Sequence, residues 1–131
     1  HSTMEEAPRG SETILLVEDD EIVRRFTRDA LTSSGYTVLE ASNGGMAVRL
    51  AEEYSGAIHL LLSDVVMPEM GGRILAEKIS ATRPDTRVLF MSGYTDDAIV
   101  RHGILESDLA FLQKPFKIAN LFQKIREVLD K

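Results

Sequence analysis

The chain contains no cysteine, no excess of basic residues and no long apolar run, and each absence excludes something. Without cysteine there is no disulfide framework and no thiolate metal site, a composition that suits the cytoplasm. Fifteen lysines and arginines face 21 aspartates and glutamates, for a formal net charge of −6. With that balance and no basic cluster, no direct nucleic-acid partner is expected. No stretch approaches the length that spans a bilayer, and the N-terminus lacks a charged-then-apolar signal pattern, so no direct membrane insertion is expected. Internal repeats and low-complexity tracts are also missing. What is present is 44% hydrophobic content in 131 residues, enough for one domain with a real core and too little chain for two.

Four apolar runs organise that core, and each ends in a polar group. Ile14-Leu15-Leu16-Val17 leads into Glu18-Asp19, Leu60-Leu61-Leu62 into Ser63-Asp64, Val88-Leu89-Phe90-Met91 into Ser92, and Phe111-Leu112-Gln113 into Lys114. The corresponding strands are expected at the first run and at residues 58–63, 87–91 and 110–113, with another at 36–41. Between them, Ile22, Val23, Phe26, Ala30 and Leu31 recur at helical spacing and are stopped by Gly35. Met46, Ala47, Leu50 and Ala51 mark a second helix ending near Gly56, and Ile74, Leu75, Ile79 and Ala81 a third closed by Pro84. A weaker fourth helix is expected over residues 96–105, and Ile118, Leu121, Phe122, Ile125, Val128 and Leu129 give a strongly amphipathic last one. Residues 1–12 are polar and aperiodic and read as a disordered lead-in or linker, with His1-Ser2-Thr3 as a vector-derived remnant; the domain is expected to occupy residues 13–131.

Near-continuous apolar strands alternating with helices predict an α/β fold of five βα units, a five-stranded parallel sheet covered on both faces. Crossovers should be right-handed. In the flavodoxin-like doubly wound order 2-1-3-4-5 the switch point falls between strands one and three, and ligands bind outside the carboxyl ends there. That geometry would gather Glu18, Asp19, Asp64, Ser92 and Lys114.

Gathered carboxylates stay ionised only with a cation among them, and an all-oxygen donor set suits Mg²⁺ better than zinc. A carboxylate can also attack phosphorus to form an aspartyl phosphate. Phosphoryl transfer mainly requires positioning and charge compensation, here by metal on one side and Lys114 with the Ser92 hydroxyl on the other. Taken singly, each piece has an ordinary explanation. Glu18-Asp19-Asp20 can cap a helix, Asp64 to Pro68 can be a strand end before a proline turn, and Ser92-Gly93 and Lys114-Pro115 are common loop starts. The order and spacing of all four together favour the chemical explanation.

Val17-Glu18-Asp19-Asp20, Asp64-Val65-Val66-Met67-Pro68-Glu69-Met70, Met91-Ser92-Gly93 and Lys114-Pro115-Phe116, in that order over residues 12–131, resemble the receiver domain of bacterial two-component signalling, the response-regulator family. The resemblance implies that Asp64 is the phosphoacceptor, Asp19 a direct Mg²⁺ ligand and Glu18 an acid reaching the metal through water. The Val66 backbone carbonyl would complete the protein's share of the metal shell, and Mn²⁺ is an admissible substitute. Ser92 resembles the switch hydroxyl, Lys114 the lysine that pairs with the phosphoryl group, and the Lys114-Pro115 peptide is usually cis in such proteins. Phe111 stands where an aromatic turns inward when the hydroxyl moves, although a plain core phenylalanine fits equally well. Val66 and Tyr94 occupy positions that tune water access. Two departures are visible: Gly71 replaces a common Asp, which weakens the expected cap of helix three, and Ser92 replaces the more frequent Thr.

The stretch from Met91 to Asp97, the run Phe111 to Phe116 and the lead-in Pro8-Arg9-Gly10-Ser11-Glu12 are similar to receivers at the C-terminal end of hybrid sensor histidine kinases. The chain is therefore expected to be a fragment of such a kinase, cytoplasmic and tethered to the inner membrane through the parent. The expected partners are a histidine kinase or a histidine phosphotransfer domain, with a receiver homodimer as a further option. Such a domain assists its own phosphorylation and dephosphorylation, while any kinase activity would lie in the parent chain. A stand-alone single-domain regulator is the alternative. A carboxylate-nucleophile phosphatase would carry two acids two apart on the first strand, whereas here the candidate nucleophile follows strand three. A flavin protein would need a phosphate loop after strand one, where Glu18-Asp19-Asp20 would repel the phosphate.

Overall fold

The computed structural model describes residues 10–93 and 110–131. The helix expected over 96–105 and most of the expected lead-in lie outside the described residues. Five strands form one sheet: β1 (Thr13–Val17), β2 (Thr37–Ala41), β3 (Leu60–Asp64), β4 (Arg87–Ser92) and β5 (Ala110–Gln113). Their order is β2-β1-β3-β4-β5 and every neighbouring pair is parallel. The described helices are α1 (Glu21–Ser33), α2 (Gly44–Glu53), α3 (Gly72–Thr82) and α4 (Ile118–Leu129). This is the flavodoxin-like doubly wound sheet that the βα alternation predicts. The third strand starts two residues later than expected and extends through Asp64, because its apolar pairing with β1 begins at Ile14 opposite Leu60.

Side chains alternate across the sheet and split the core in two. Ile14, Leu16, Leu60, Leu62, Leu89 and Met91 pack with Leu31 of α1 and with Leu121, Phe122 and Ile125 of α4. On the opposite face, Leu15, Val17 and Leu61 pack with Ala47 and Ala51 of α2 and with Leu75 and Ile79 of α3. Most of these side chains are fully buried, and each buried Leu or Ile contributes on the order of 2 kcal/mol of transfer free energy.

α1 departs from the sequence expectation in one respect. The helical spacing puts Ile22 and Phe26 on its apolar stripe, yet these are 81% and 54% exposed, while Thr27 and Leu31 are the buried positions. Val23, Ala30 and Leu31 of the stripe do turn inward, and Arg24 and Arg28, one turn apart, flank the buried face and both reach Glu40 on β2. Asp20 sets the helix start by accepting the N–H groups of Ile22 and Val23 at 2.9 and 3.2 Å. Gly35 ends it at φ 103°, where its N–H donates to Thr32 and the Tyr36 N–H donates to Leu31. α3 is preceded by Gly71, which offers no side-chain cap, as the missing aspartate foretells.

Candidate functional site

Register decides which polar groups meet. Val17 pairs with Ser63, Asp64 with Met91 and Ser92 with Gln113, so the residue after each strand emerges at one level along the carboxyl edge. The ladder runs slightly beyond the strands: the Glu18 N–H donates to Ala41, the Val65 N–H to Met91, and the Lys114 N–H to Ser92 at 2.6 Å. Local contacts then fix the loops. Gly72 has no side chain because a Cβ there would collide with the Asp64 carbonyl, and its N–H donates to Val65 at 2.7 Å. The Lys114–Pro115 peptide is cis.

Lys114 Nζ lies 2.8 Å from Asp64 Oδ1 and 3.1 Å from Glu18 Oε1. The approach to Asp64 meets ion-pair distance without hydrogen-bond alignment, so this buried Oδ1 accepts no aligned hydrogen bond among the described residues. Oxygen atoms of Glu18, Asp19 and Asp64 all lie within 4.8 Å of one another. Glu18 and Asp64 are buried, at 1% and 4% exposure, whereas Asp19 is exposed. Burial and the neighbouring Glu18 carboxyl push the Asp64 carboxyl up to about 8, a rise that the Lys114 ammonium offsets only in part. Burial acts upward on Glu18 too, but contacts with Asp64, the Asp20 N–H and Lys114 outweigh it and hold Glu18 below its usual range. Lys114 is raised: its own burial lowers it, and the two carboxylates more than compensate. With one ammonium for three acids, the pocket is short of positive charge. An all-oxygen donor set with an unaligned buried oxygen fits a hard divalent cation such as Mg²⁺.

Around this centre, the Ser92 side chain is buried and its hydroxyl donates to the Gly93 carbonyl at 3.3 Å. Val66 stands two residues past Asp64 and is 55% exposed on the rim. Phe111 is half-buried and packs against the fully buried Phe90. Tyr94 lies outside the described residues. Beside the acids, Ile22, Val23, Phe26, Gly93, Lys114, Pro115 and Phe116 line an apolar groove of about 520 Å³. The sequence places Ile22 and Phe26 on the apolar stripe of the first helix, and nothing in it singles out Arg24. Its guanidinium donates to the Glu18 carbonyl at 2.9 Å and to Glu40 at 3.3 Å. The only sequence signal was two arginines four apart after a cap, which any solvated helix face could show.

Residues 14–126 match the response regulator receiver domain family, and the chain belongs to that family. It is a receiver domain of two-component systems, where such domains interact with histidine kinases or phosphotransfer proteins and bind Mg²⁺. Sensor kinase CckA of Brucella abortus is 43% identical over 122 residues, covering 93% of this chain and 13% of that protein. The chain thus spans a small part of that relative. The response regulator receiver protein CpdR of the same organism is 39% identical over 117 residues, covering 88% of this chain and 95% of CpdR. Among solved structures, the receiver domain of the hybrid histidine kinase CckA superposes with a TM-score of 0.73 at 35% identity, covering 88% of this chain and 96% of that one. A CheY-like receiver protein of Methanospirillum hungatei gives 0.77 at 29% identity, covering 92% and 95%. No described helix is long and apolar enough to cross a membrane.

Proposed function

We propose that Asp64 takes a phosphoryl group from a phosphohistidine, with Mg²⁺ held by Glu18, Asp19, Asp64 and the Val66 backbone carbonyl. The observation that carries this reading is the placement of Lys114 Nζ within ion-pair reach of both Asp64 and Glu18, with Asp19 at the same opening. When bound, Mg²⁺ supplies positive charge to the phosphoryl oxygens and to the crowded carboxylates. A carboxylate oxygen of Asp64 attacks phosphorus while the P–N bond of the phosphohistidine breaks, and its electron pair stays on the imidazole nitrogen, which then takes a proton. No general base is needed, because the attacking oxygen is ionised once the pocket's charge is compensated. Lys114 holds the oxygen in place and pairs with the incoming phosphoryl group.

The phosphoryl group adds negative charge to an acidic pocket, so signalling requires contacts that differ between two states. Ser92 is the hydroxyl assigned to that switch, with Phe111 following by packing, since phenylalanine has no hydroxyl to report through. Val66 and Tyr94 are assigned to control water access to the phosphorylated aspartate. The surface that responds comprises the fourth expected helix, β5 and α4, and it is also the proposed face of any receiver homodimer.

The donor is a histidine kinase or a histidine phosphotransfer domain. Its phosphohistidine must reach Asp64, so its body must rest on the rim, and the apolar groove beside Lys114 offers that seat. Residues 13–131 form the receiver, preceded by a lead-in over residues 1–12. The likeness to CckA supports an origin in a hybrid sensor kinase, in the cytoplasm and tethered through the parent. The likeness to CpdR, nearly all of whose length is covered, keeps the stand-alone regulator as the alternative. No nucleic-acid partner is assigned, in keeping with the acidic composition. Incubation with acetyl phosphate and Mg²⁺ tests the chemistry. A base-labile mass increase that EDTA and Asp64→Asn both abolish is expected, and an adduct surviving in Asp64→Asn overturns the assignment. Titrating Mn²⁺ in the same assay decides whether it can substitute.

A further inference from the structure

Asp19 is the exposed member of the acidic cluster, and its aim depends on the backbone that carries it. On either side of it that backbone is pinned. The Glu18 N–H donates to the Ala41 carbonyl at 3.1 Å, and the Asp20 N–H donates to Glu18 Oε2 at 3.0 Å. Between them, the Glu18 carbonyl accepts from Arg24 Nη1 at 2.9 Å. The Arg24 side chain is only 17% exposed and is held in turn by Glu40 Oε1 at 3.3 Å, while Glu40 Oε2 accepts from Arg28 at 2.9 Å. Glu40 pairs in register with Leu16, two residues before Glu18, so the tether is anchored in the sheet itself. We propose that Arg24, oriented by Glu40, is a positioning residue that fixes the Glu18–Asp19 peptide for binding a divalent cation.

This rests on the metal reading given above and adds a residue to it. The planar guanidinium suits the task because one face of its fork reaches Glu40 while another nitrogen reaches the carbonyl, which a lysine cannot do. Its charge alone would act in the opposite sense, since a cation near the cluster repels Mg²⁺. Geometry and charge therefore predict opposite signs when Arg24 is removed.

The test is an NMR-monitored Mg²⁺ titration of the wild-type chain, Arg24→Met, Arg24→Lys and Glu40→Gln, with amide hydrogen exchange measured in EDTA. Loss of an outer-shell partner is expected to raise the Mg²⁺ dissociation constant about tenfold in Arg24→Met. Arg24→Lys should not restore it, and Glu40→Gln should shift it in the same direction. Without metal, exchange at the Glu18 and Asp20 amides should accelerate about tenfold in Arg24→Met relative to Leu15 and Leu16. Unchanged or tighter Mg²⁺ binding in Arg24→Met overturns the proposal, as does exchange that accelerates evenly through β1. If the wild-type chain binds no Mg²⁺, the metal reading fails, and the exchange measurement still decides whether Arg24 holds the turn. Should Arg24→Met not fold, Glu40→Gln supplies both measurements.

Discussion

Replacing Asp64 by asparagine should make the metal-free domain more stable while removing its chemistry. In the folded chain the Asp64 carboxyl ionises only near pH 8, against 3.8 for the free side chain, because it is buried beside Glu18. Below pH 3.8 the carboxyl is protonated in both states and nothing is lost. As pH rises from there, the unfolded chain releases the proton first, so folded stability falls until the folded group also ionises near 8. At pH 7 the full linkage amounts to about 4 kcal/mol, an upper bound because the shift belongs jointly to Asp64 and Glu18. Asparagine escapes this penalty but gives up the contact between the carboxyl and Lys114 and stays buried, leaving a net gain of roughly 1–2 kcal/mol. For a domain of this size that corresponds to roughly 3–10 °C in melting temperature. Urea denaturation in EDTA at pH 5 and pH 7 measures it: the variant's advantage should shrink at pH 5. Added Mg²⁺ should stabilise wild type more than Asp64→Asn. Equal or lower stability of Asp64→Asn at pH 7 without metal would refute the account of a carboxylate held against its own ionisation.

Arg126 pairs with Glu12 at 2.8 Å and also contacts Asp130, and hydrogen bonds from Arg126 lower both acids. Depressed acids stabilise above their unfolded values and lose that contribution as pH falls through the folded ones. Arg126→Met should therefore be less stable than wild type at pH 7, with a gap that closes below about pH 4 in denaturant titrations; a gap independent of pH contradicts the pairing. Ile22→Ser with Phe26→Ser alters exposed side chains, so stability should change by less than about 1 kcal/mol. Phosphorylation by acetyl phosphate should persist in that variant while transfer from a histidine phosphotransfer domain slows at least tenfold, and equal loss with both donors would remove the groove from the donor's path. Val66→Asn should shorten the lifetime of the phosphorylated domain by admitting water, and an unchanged decay rate would count against the tuning role.

The fold was legible because its strands are nearly uninterrupted apolar runs, and the acids and Lys114 were legible because each closes one of them. Ile22 and Phe26 lie on the edge of the apolar stripe that stays exposed: periodicity reports which residues share a helical face, and cannot tell how far that face turns toward the sheet. The weak start of α3 could be read from Gly71 because a cap is a local matter. The pinning of the Glu18 carbonyl could not, since it depends on a guanidinium six residues along the chain and on a carboxylate of β2 that orients it. Glu69, held at φ 72° in the loop after Asp64, gives no sequence sign of its backbone either.

The central claim is that Asp64, and no other acid of the cluster, carries the phosphoryl group. The most direct measurement is borohydride trapping after phosphorylation, which reduces an aspartyl phosphate to homoserine, followed by peptide mass spectrometry. The account predicts homoserine at position 64 only, dependent on Mg²⁺; homoserine at position 19 or 20, or none after wild-type protein has taken up phosphate, contradicts it.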